Sequence, residues 1–381
     1  MRNSLYSEEH EMVRQAVRRF AEKELLPHAA QWEAAEYFAD WVFPRMGTLG
    51  FLGLRYPQRY GGQGGDYAMG LVFAEEMAHC GLSSVAMAAA VHAEMATPPL
   101  LKFGSEDQKQ RFLVPAIRGE KVACLGITEP NAGSDVASIA TRAVRDGNSW
   151  ILNGQKIFIT NGVRADFIVL LAKTAPTLGR KGLSLFLVEK GTPGFRVTNT
   201  IKKVGMRASD TAELVFDDCR IPETNLLGEE NKGFYQIMWE LQGERMVGAI
   251  MAVAEADRVF HQALAYAQQR VQFGQPIGKF QAIAHKLASM ATAIEAARQL
   301  NYSTAQRLAE GENLIKEVAM CKLVSARVAC QVADTALQIH GGYGFTMDFP
   351  VQQAWRDLRL SRIGGGTDEV MKDIIAKSLG L

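Results

Sequence analysis

This chain of 381 residues has no continuous apolar run near the ~20 residues that cross a bilayer, so a membrane span is not expected. Its five cysteines (Cys80, Cys124, Cys219, Cys321 and Cys330) are scattered, odd in number and without a Cys-x-x-Cys pair. That excludes a disulfide framework and a cysteine zinc site, and reads as reduced thiols. A net charge of only +1 leaves no electrostatic case for nucleic acid or a membrane surface as partner. No Gly-x-Gly-x-x-Gly follows a strand, and Gly278-Lys279 is followed by Phe280 instead of Ser or Thr, so dinucleotide and phosphate-loop fingerprints are missing. There is no Gly-x-Ser-x-Gly elbow, and no acidic or His set with metal-ligand spacing surrounds His340. Repeats and low-complexity segments are also lacking. The stretch Met1 to His10 has early acidic residues and no apolar h-region, which argues against a secretory signal or a transit peptide. A cytoplasmic protein is the simplest expectation; a processed mitochondrial one would look the same.

What is present is ordinary globular composition, 48% apolar and 22% charged, in a chain long enough for two or three cores. Ser7-Glu8-Glu9-His10 reads as a helix start, and Met12, Val13, Val17, Phe20 and Ala21 recur at helical spacing. Tyr60 to Gly65 is a glycine-dense loop. Tyr67 to Met95 is rich in Ala, Met, Val and Leu and reads as long buried helices, and Ser105 to Gln108 starts another. From 122 the pattern turns to strands: Trp150 to Leu152 and Lys156 to Thr160 flank Asn153-Gly154, which suits a tight hairpin turn. Phe167 to Ala172, Leu183 to Val188 and Ala212 to Phe216 are further strand-like runs. After Gly233 helices return. Phe280, Ile283, Leu287, Met290 and Ile294 repeat in steps of three and four, the seam of a bundle helix, and Ile315 to Ile339 is a second long helical run. The expected class is α+β, with an N-terminal helical domain (1–121), a middle antiparallel β domain (122–231) and a C-terminal helical bundle (232–381).

The stretch from Cys124 to Asp135 carries the strongest local signal. An apolar run, Val122 to Ile127, delivers Thr128, and Glu129-Pro130-Asn131-Ala132-Gly133 then turns. Pro130 fixes its own φ and Gly133 is free to take unusual ones, so N–H groups can face outward, with the hydroxyls of Thr128 and Ser134 at either end. Such a concave donor set suits phosphate or carbonyl oxygens. An ordinary polar turn with a Ser-Asp helix cap is the alternative.

Gly126-Ile127-Thr128-Glu129, followed by Ala132-Gly133-Ser134-Asp135, resembles the signature of the acyl-CoA dehydrogenase flavoproteins. The order of later motifs agrees with that family from near residue 5 to the C-terminus. The resemblance implies non-covalent FAD and removal of hydrogen across the α,β bond of an acyl-CoA thioester, as in fatty-acid β-oxidation or branched-chain catabolism. Thr128 and Ser134 would then approach the cofactor, with Ser134 also near the substrate. Phe158-Ile159-Thr160-Asn161 resembles the segment along the flavin ring, where Phe158 replaces the usual Trp and the Thr160 hydroxyl reaches towards N5. Ala88 and Val91 would form the floor of the acyl pocket, although small residues on a buried helix also serve close helix packing. Arg270 and Phe273 resemble the segment that contacts the FAD of a neighbouring subunit; an Arg at a helix end is also an ordinary partner of the helix dipole. Gln338-Ile339-His340-Gly341-Gly342 resembles the second family signature, with Gln338 and Gly342 towards the same cofactor, and Thr367 is placed there too. A homo-oligomer, a dimer of dimers, would follow, with an electron-transferring flavoprotein as electron acceptor.

One departure bears on chemistry. The common branch of the family carries its base as Glu in a Tyr-Glu-Gly-Thr motif, whereas this chain reads Ile363-Gly364-Gly365-Gly366-Thr367. Gly365 cannot abstract a proton, but Gly243-Glu244-Arg245 matches the place where the isovaleryl-CoA and long-chain branches put theirs. The resemblance therefore implies Glu244 as base at the beginning of the first long C-terminal helix, and Gly365 offering its N–H to the thioester carbonyl. Arg245 and Gly364 would lie beside the substrate. Medium, long or branched acyl chains are expected over butyryl. A structural Glu-Arg pair is the alternative reading of Glu244. An acyl-CoA oxidase and a non-catalytic acyl-CoA- and flavin-binding protein are the alternatives for the whole chain.

Overall fold

The computed structural model describes residues 5–381; the first four residues of the expected N-terminal stretch lie outside them. The first helix, Glu8–Phe20, starts at Ser7, whose N–H donates to Nδ1 of His10 at 3.0 Å. The other ring nitrogen of His10 meets Asp66 at 2.9 Å, and Asp66 itself caps the helix Tyr67–His79 by accepting from the N–H of Met69. Two helix starts are thereby tied together at one point. Ser105 and Gln108 form a reciprocal cap, and the Gln108 amide reaches on to the carbonyls of Thr224 and Leu226, joining the helical part to the β part. Ser83–Ala90 runs directly into a π-helical turn, Val91–Ala96.

Eight strands follow: β1 Ala123–Gly126, β2 Arg142–Asp146, β3 Ser149–Thr160, β4 Phe167–Lys173, β5 Leu183–Glu189, β6 Phe195–Thr200, β7 Thr211–Pro222 and β8 Leu226–Leu227. They make one sheet in the order β6-β7-β3-β2-β4-β5-β8, with β1 beside β4. The expected antiparallel domain is antiparallel except at β4, which β1 and the first residue of β2 join in parallel. The expected hairpin at Asn153-Gly154 is not a hairpin. The tight turn is Gly147-Asn148, between Asp146 and Ser149, while β3 runs unbroken through Asn153 and Gly154. Gly154 is needed for close approach: a Cβ there would lie 2.6 Å from the Cα of Thr141. Asn153 pairs across the sheet with Asp218 at the irregularity in the β3–β7 ladder.

Three long helices, Gly233–Gln269, Gln281–Ala309 and Ile315–His340, complete the fold with Pro350–Leu358 and Asp368–Ser378. Their shared core sets Ala252, Ala256, Val259 and Ala263 against Leu287, Met290 and Ile294 and against Ala329, Val332 and Ala336. Small residues facing large ones allow the axes to approach, and each buried Leu, Ile or Met contributes about 1.5–3 kcal/mol. The first helix starts at Gly233 because only glycine fits against β5, a Cβ there lying 2.7 Å from the backbone of Ser184. Glu244, expected at the beginning of this helix, is therefore about three turns inside it. No helix among the described residues is long and apolar enough to cross a membrane.

Candidate active site

The turn after β1 is held from beneath. Glu129 is buried and accepts from Lys156 Nζ at 2.7 Å, from the N–H of Thr141 at 3.0 Å and from that of Ala140 at 2.5 Å. Lys156, fully buried in β3, also donates to the carbonyl of Ile127, and the N–H of Ile157 donates to that of Thr128. Burial pushes Lys156 down to about 8 against the pull of Glu129, while for Glu129 the opposing burial is outweighed by Lys156 and its carboxyl stays below the usual range. Removing one member of such a pair would strand a buried charge, at about 3–5 kcal/mol. No described residue bonds to the hydroxyls of Thr128, Ser134 or Thr160, so the frame is fixed while its donors stay free.

β3 then turns an aromatic ring outward. The β3–β7 register breaks between Lys156 and Ile159, and Phe158 sits there with φ of 61° and 62% of its surface exposed. A left-handed Phe is strained, which neighbours must over-determine. Asn161, also left-handed, does so: buried, it donates from Nδ2 to the carbonyl of Ala88 at 2.9 Å, and its N–H bonds the carbonyl of Asp210. Phe158 and Thr160 are thus registered against the small-residue helix carrying Ala88, with Val91 at the start of the π-helical turn. His92, one residue on, joins that turn to β1 by accepting from the N–H of Ala123 at 3.0 Å and bonding the carbonyl of Ala116 at 3.0 Å. Burial lowers it to about 4, so it is neutral.

Opposite the long helix lies the glycine turn 364–366. Arg245 Nε donates to the carbonyl of Gly365 at 3.1 Å, and Lys322 Nζ to that of Gly366. Gly365 has φ of 65°, and a Cβ built on it would lie 3.2 Å from Oε1 of Glu244. The carboxylate thus occupies the space in front of Gly365. Burial raises Glu244 above the usual carboxylate range, with Arg245 and Lys322 pulling it back in part. Gly364 meets only Leu360, at 3.8 Å, and Thr367 accepts the Val370 N–H as the cap of the last helix. Arg245 was expected beside the substrate; its direct contact in the structure is with Gly365.

Arg270 and Phe273 come together with Gly342 elsewhere, at a cavity of about 690 Å³ also lined by Tyr266, Phe280, Ile283, His340 and Tyr343. Phe280 and Ile283, read from spacing as bundle seam, thus line this cavity, whereas Leu287, Met290 and Ile294 are in the core. Gln338 is exposed and outside the lining, and no residue of the Thr128 turn or of β3 reaches it. Phe273 and Phe345 are 93% and 87% exposed beside it and within its glycine segment, respectively. Residues to which sequence reasoning gave no role of their own are Lys156, Asn161, His92 and Lys322. Of these Lys156 left a trace, since it falls on the buried side of β3 with Trp150 and Leu152. Among the described residues no group of three or more His, Cys, Asp or Glu is placed to hold a metal ion.

Comparison with known proteins agrees throughout the chain. Family models for the acyl-CoA dehydrogenase N-terminal, middle and C-terminal domains match residues 7–120, 124–219 and 231–380. A short-chain specific acyl-CoA dehydrogenase of Clostridium acetobutylicum is 42% identical over 97% of both chains. The mitochondrial long-chain specific enzyme of Sus scrofa is 38% identical over 98% of this chain and 87% of its own. The crystal structure of an acyl-CoA dehydrogenase from Geobacillus kaustophilus superposes with a TM-score of 0.97 at 41% identity, covering 100% of both chains. With the helical, β and helical parts all matched in order, the chain belongs to the acyl-CoA dehydrogenases, a family of FAD flavoproteins.

Proposed function

We propose that the chain dehydrogenates an acyl-CoA thioester to the trans-2-enoyl-CoA with Glu244 as α-proton base. The observation that carries this is the 3.2 Å separation between Glu244 Oε1 and the missing Cβ of Gly365, because it puts a carboxylate where the glycine leaves room for one. The chain's residues fit FAD: an outward aromatic face at Phe158, free hydroxyls at Thr128, Ser134 and Thr160, and an apolar cavity with an Arg at its rim. Bound FAD would supply an acceptor for the β-hydrogen as hydride.

The protein's part is positional and electrostatic. Glu244 takes the α-proton, a role typically worth ~10²–10⁴ in rate, from a carbon held roughly 3–3.5 Å away. Charge develops on the thioester oxygen as that proton leaves, and the N–H of Gly365 is the donor offered to it. Arg245 and Lys322 hold the two carbonyls of that turn, so the N–H need not reorient during reaction. Ala88 and Val91 supply an apolar floor and Gly364 leaves side room, which favours medium, long or branched acyl chains. The exposed aromatics around the Arg270 cavity support a second copy of the chain as its cover, within a dimer of dimers, and the FAD of that copy as its ligand. An electron-transferring flavoprotein is the proposed electron acceptor.

Anaerobic addition of straight and branched acyl-CoAs to the yellow protein tests this reading. Bleaching of the flavin by at least one of them is expected. A flavin that binds but is reduced by none would make the chain a silent acyl-CoA-binding relative. Stoichiometric peroxide in air would make it an oxidase.

A further inference from the structure

The long helix carries a second carboxyl one turn before Glu244. Glu240 precedes it by four residues, so the two side chains emerge on one face, about 5–6 Å apart at Cβ. Glu240 is 2% exposed, and neither of its carboxylate oxygens has a hydrogen-bond partner among the described residues. The charged groups around the pair come from four elements. Arg245 shares the helix, and its Nε is directed to Gly365. Arg55 approaches from the loop before the glycine-dense segment but is paired with Glu94 of the π-helical turn at 3.1 Å. Lys322, from the helix Ile315–His340, donates to Gly366. Each cation therefore already has another partner.

A carboxylate so buried and so poorly paired is unstable and keeps its proton instead. Burial and then the charge of Glu244 push Glu240 well above the usual carboxylate range, which Arg245 and Arg55 offset only in part. Glu244 is less buried than Glu240 and has both Arg245 and Lys322 to pull on it, so it is the one placed to ionise. We propose that Glu240 is a positioning residue that keeps its proton beside the Glu244 carboxylate and thereby sets the basicity of Glu244, an inference that rests on Glu244 being the base.

In the resting protein Glu244 is then the carboxylate and Glu240 the acid. As the α-C–H bond breaks, its proton passes to Glu244 and its electron pair forms the double bond; bound FAD would supply the acceptor for the β-hydrogen as hydride. The pair now carries two protons and no charge, and one proton must leave to solvent before the next turnover. Glu240 thus gives Glu244 a neutral neighbour at rest and opposes any state with both groups charged.

Infrared titration of the FAD-loaded protein tests the pair. In the wild-type minus Glu240→Gln difference spectrum, which cancels the other raised carboxyls Glu94, Glu255 and Asp357, a carboxylic-acid C=O stretch is expected at neutral pH. In Glu244→Gln the same stretch should persist but ionise about one pH unit lower or more, because the neighbouring negative charge is gone. Equal ionisation in wild type and Glu244→Gln, absence of titration in both, or no such band in the difference spectrum would overturn the proposal. The rate of flavin reduction by the best acyl-CoA should rise with pH in two steps in the wild type and in one step in Glu240→Gln; identical profiles would also overturn it. The two readings fail separately: a Glu244→Gln protein that reduces flavin at the wild-type rate sinks the base, whereas an inactive one beside an unaltered Glu240→Gln profile sinks only the pair. Should Glu240→Gln not fold, the infrared comparison of wild type with Glu244→Gln decides alone.

Discussion

The surroundings of Glu244 and the cavity at Arg270 are opposite kinds of site. Around Glu244 the chain supplies almost everything itself: a half-buried carboxyl, a glycine turn that makes room for it, and two cations that hold the turn. Around Arg270 the walls are mostly apolar, two aromatic side chains stand almost fully in solvent, and among the described residues the arginine side chain has the Tyr343 ring as its partner, 5.4 Å from its centroid. On the proposed reading the first arrangement does the chemistry and the second is covered by another copy of the chain. Substitutions in the two regions should therefore separate catalysis from assembly.

The largest effect is expected at the enclosed site. Glu244→Gln keeps the volume and removes the base, so flavin reduction should fall by ~10²–10⁴. Retention of FAD and binding of acyl-CoA should survive, as followed by flavin absorbance and calorimetry. At the open site, Arg270→Ala with Phe273→Ser should do the reverse. FAD retention is expected to weaken by about ten- to a hundredfold, about 1.4–3 kcal/mol, and the oligomer to loosen in sedimentation. Loss of assembly in the first variant, or intact assembly and cofactor in the second, would break the division between the regions.

A smaller effect is expected at His92, which belongs to the enclosed half. Its pKa is about 4 in the folded chain and near 6.5 unfolded, so the unfolded state binds more protons between those values. Stability must then rise with pH across that window and be lost as pH falls through it, by roughly 3 kcal/mol or slightly more in all. Urea unfolding of His92→Gln should show a flatter stability profile between those pH values than the wild type. An unchanged slope would mean that His92 is not the source of acid sensitivity.

How much of this was legible in the sequence follows from the range of each interaction. Helix starts at Ser7 and Ser105 were readable because a cap is settled within four residues. Asn153-Gly154 misled because the same dipeptide serves a turn or a close approach, and only the long-range neighbour Thr141 decides which. Glu244 was placed too early in its helix, although helix was read from Gly233, because Gly243 looks like a start and is an interior residue. The Glu244–Gly365 complementarity was suggested by the missing side chain in the glycine run. The Lys156–Glu129 pair was not read, although a lysine on the buried side of β3 announces a partner. Glu240 left no local signal at all: a glutamate inside a helix is ordinary, and only its burial without a partner makes it unusual.

The most direct measurement on the central claim is chemical rescue at position 244. In Glu244→Gly the space in front of Gly365 is empty, and flavin reduction by acyl-CoA should nearly stop. Added formate should restore it in proportion to concentration, since a small carboxylate can occupy that space, while Glu244→Gln, whose amide fills it, should not respond. Flavin reduction at the wild-type rate in Glu244→Gly without formate would contradict Glu244 as the base.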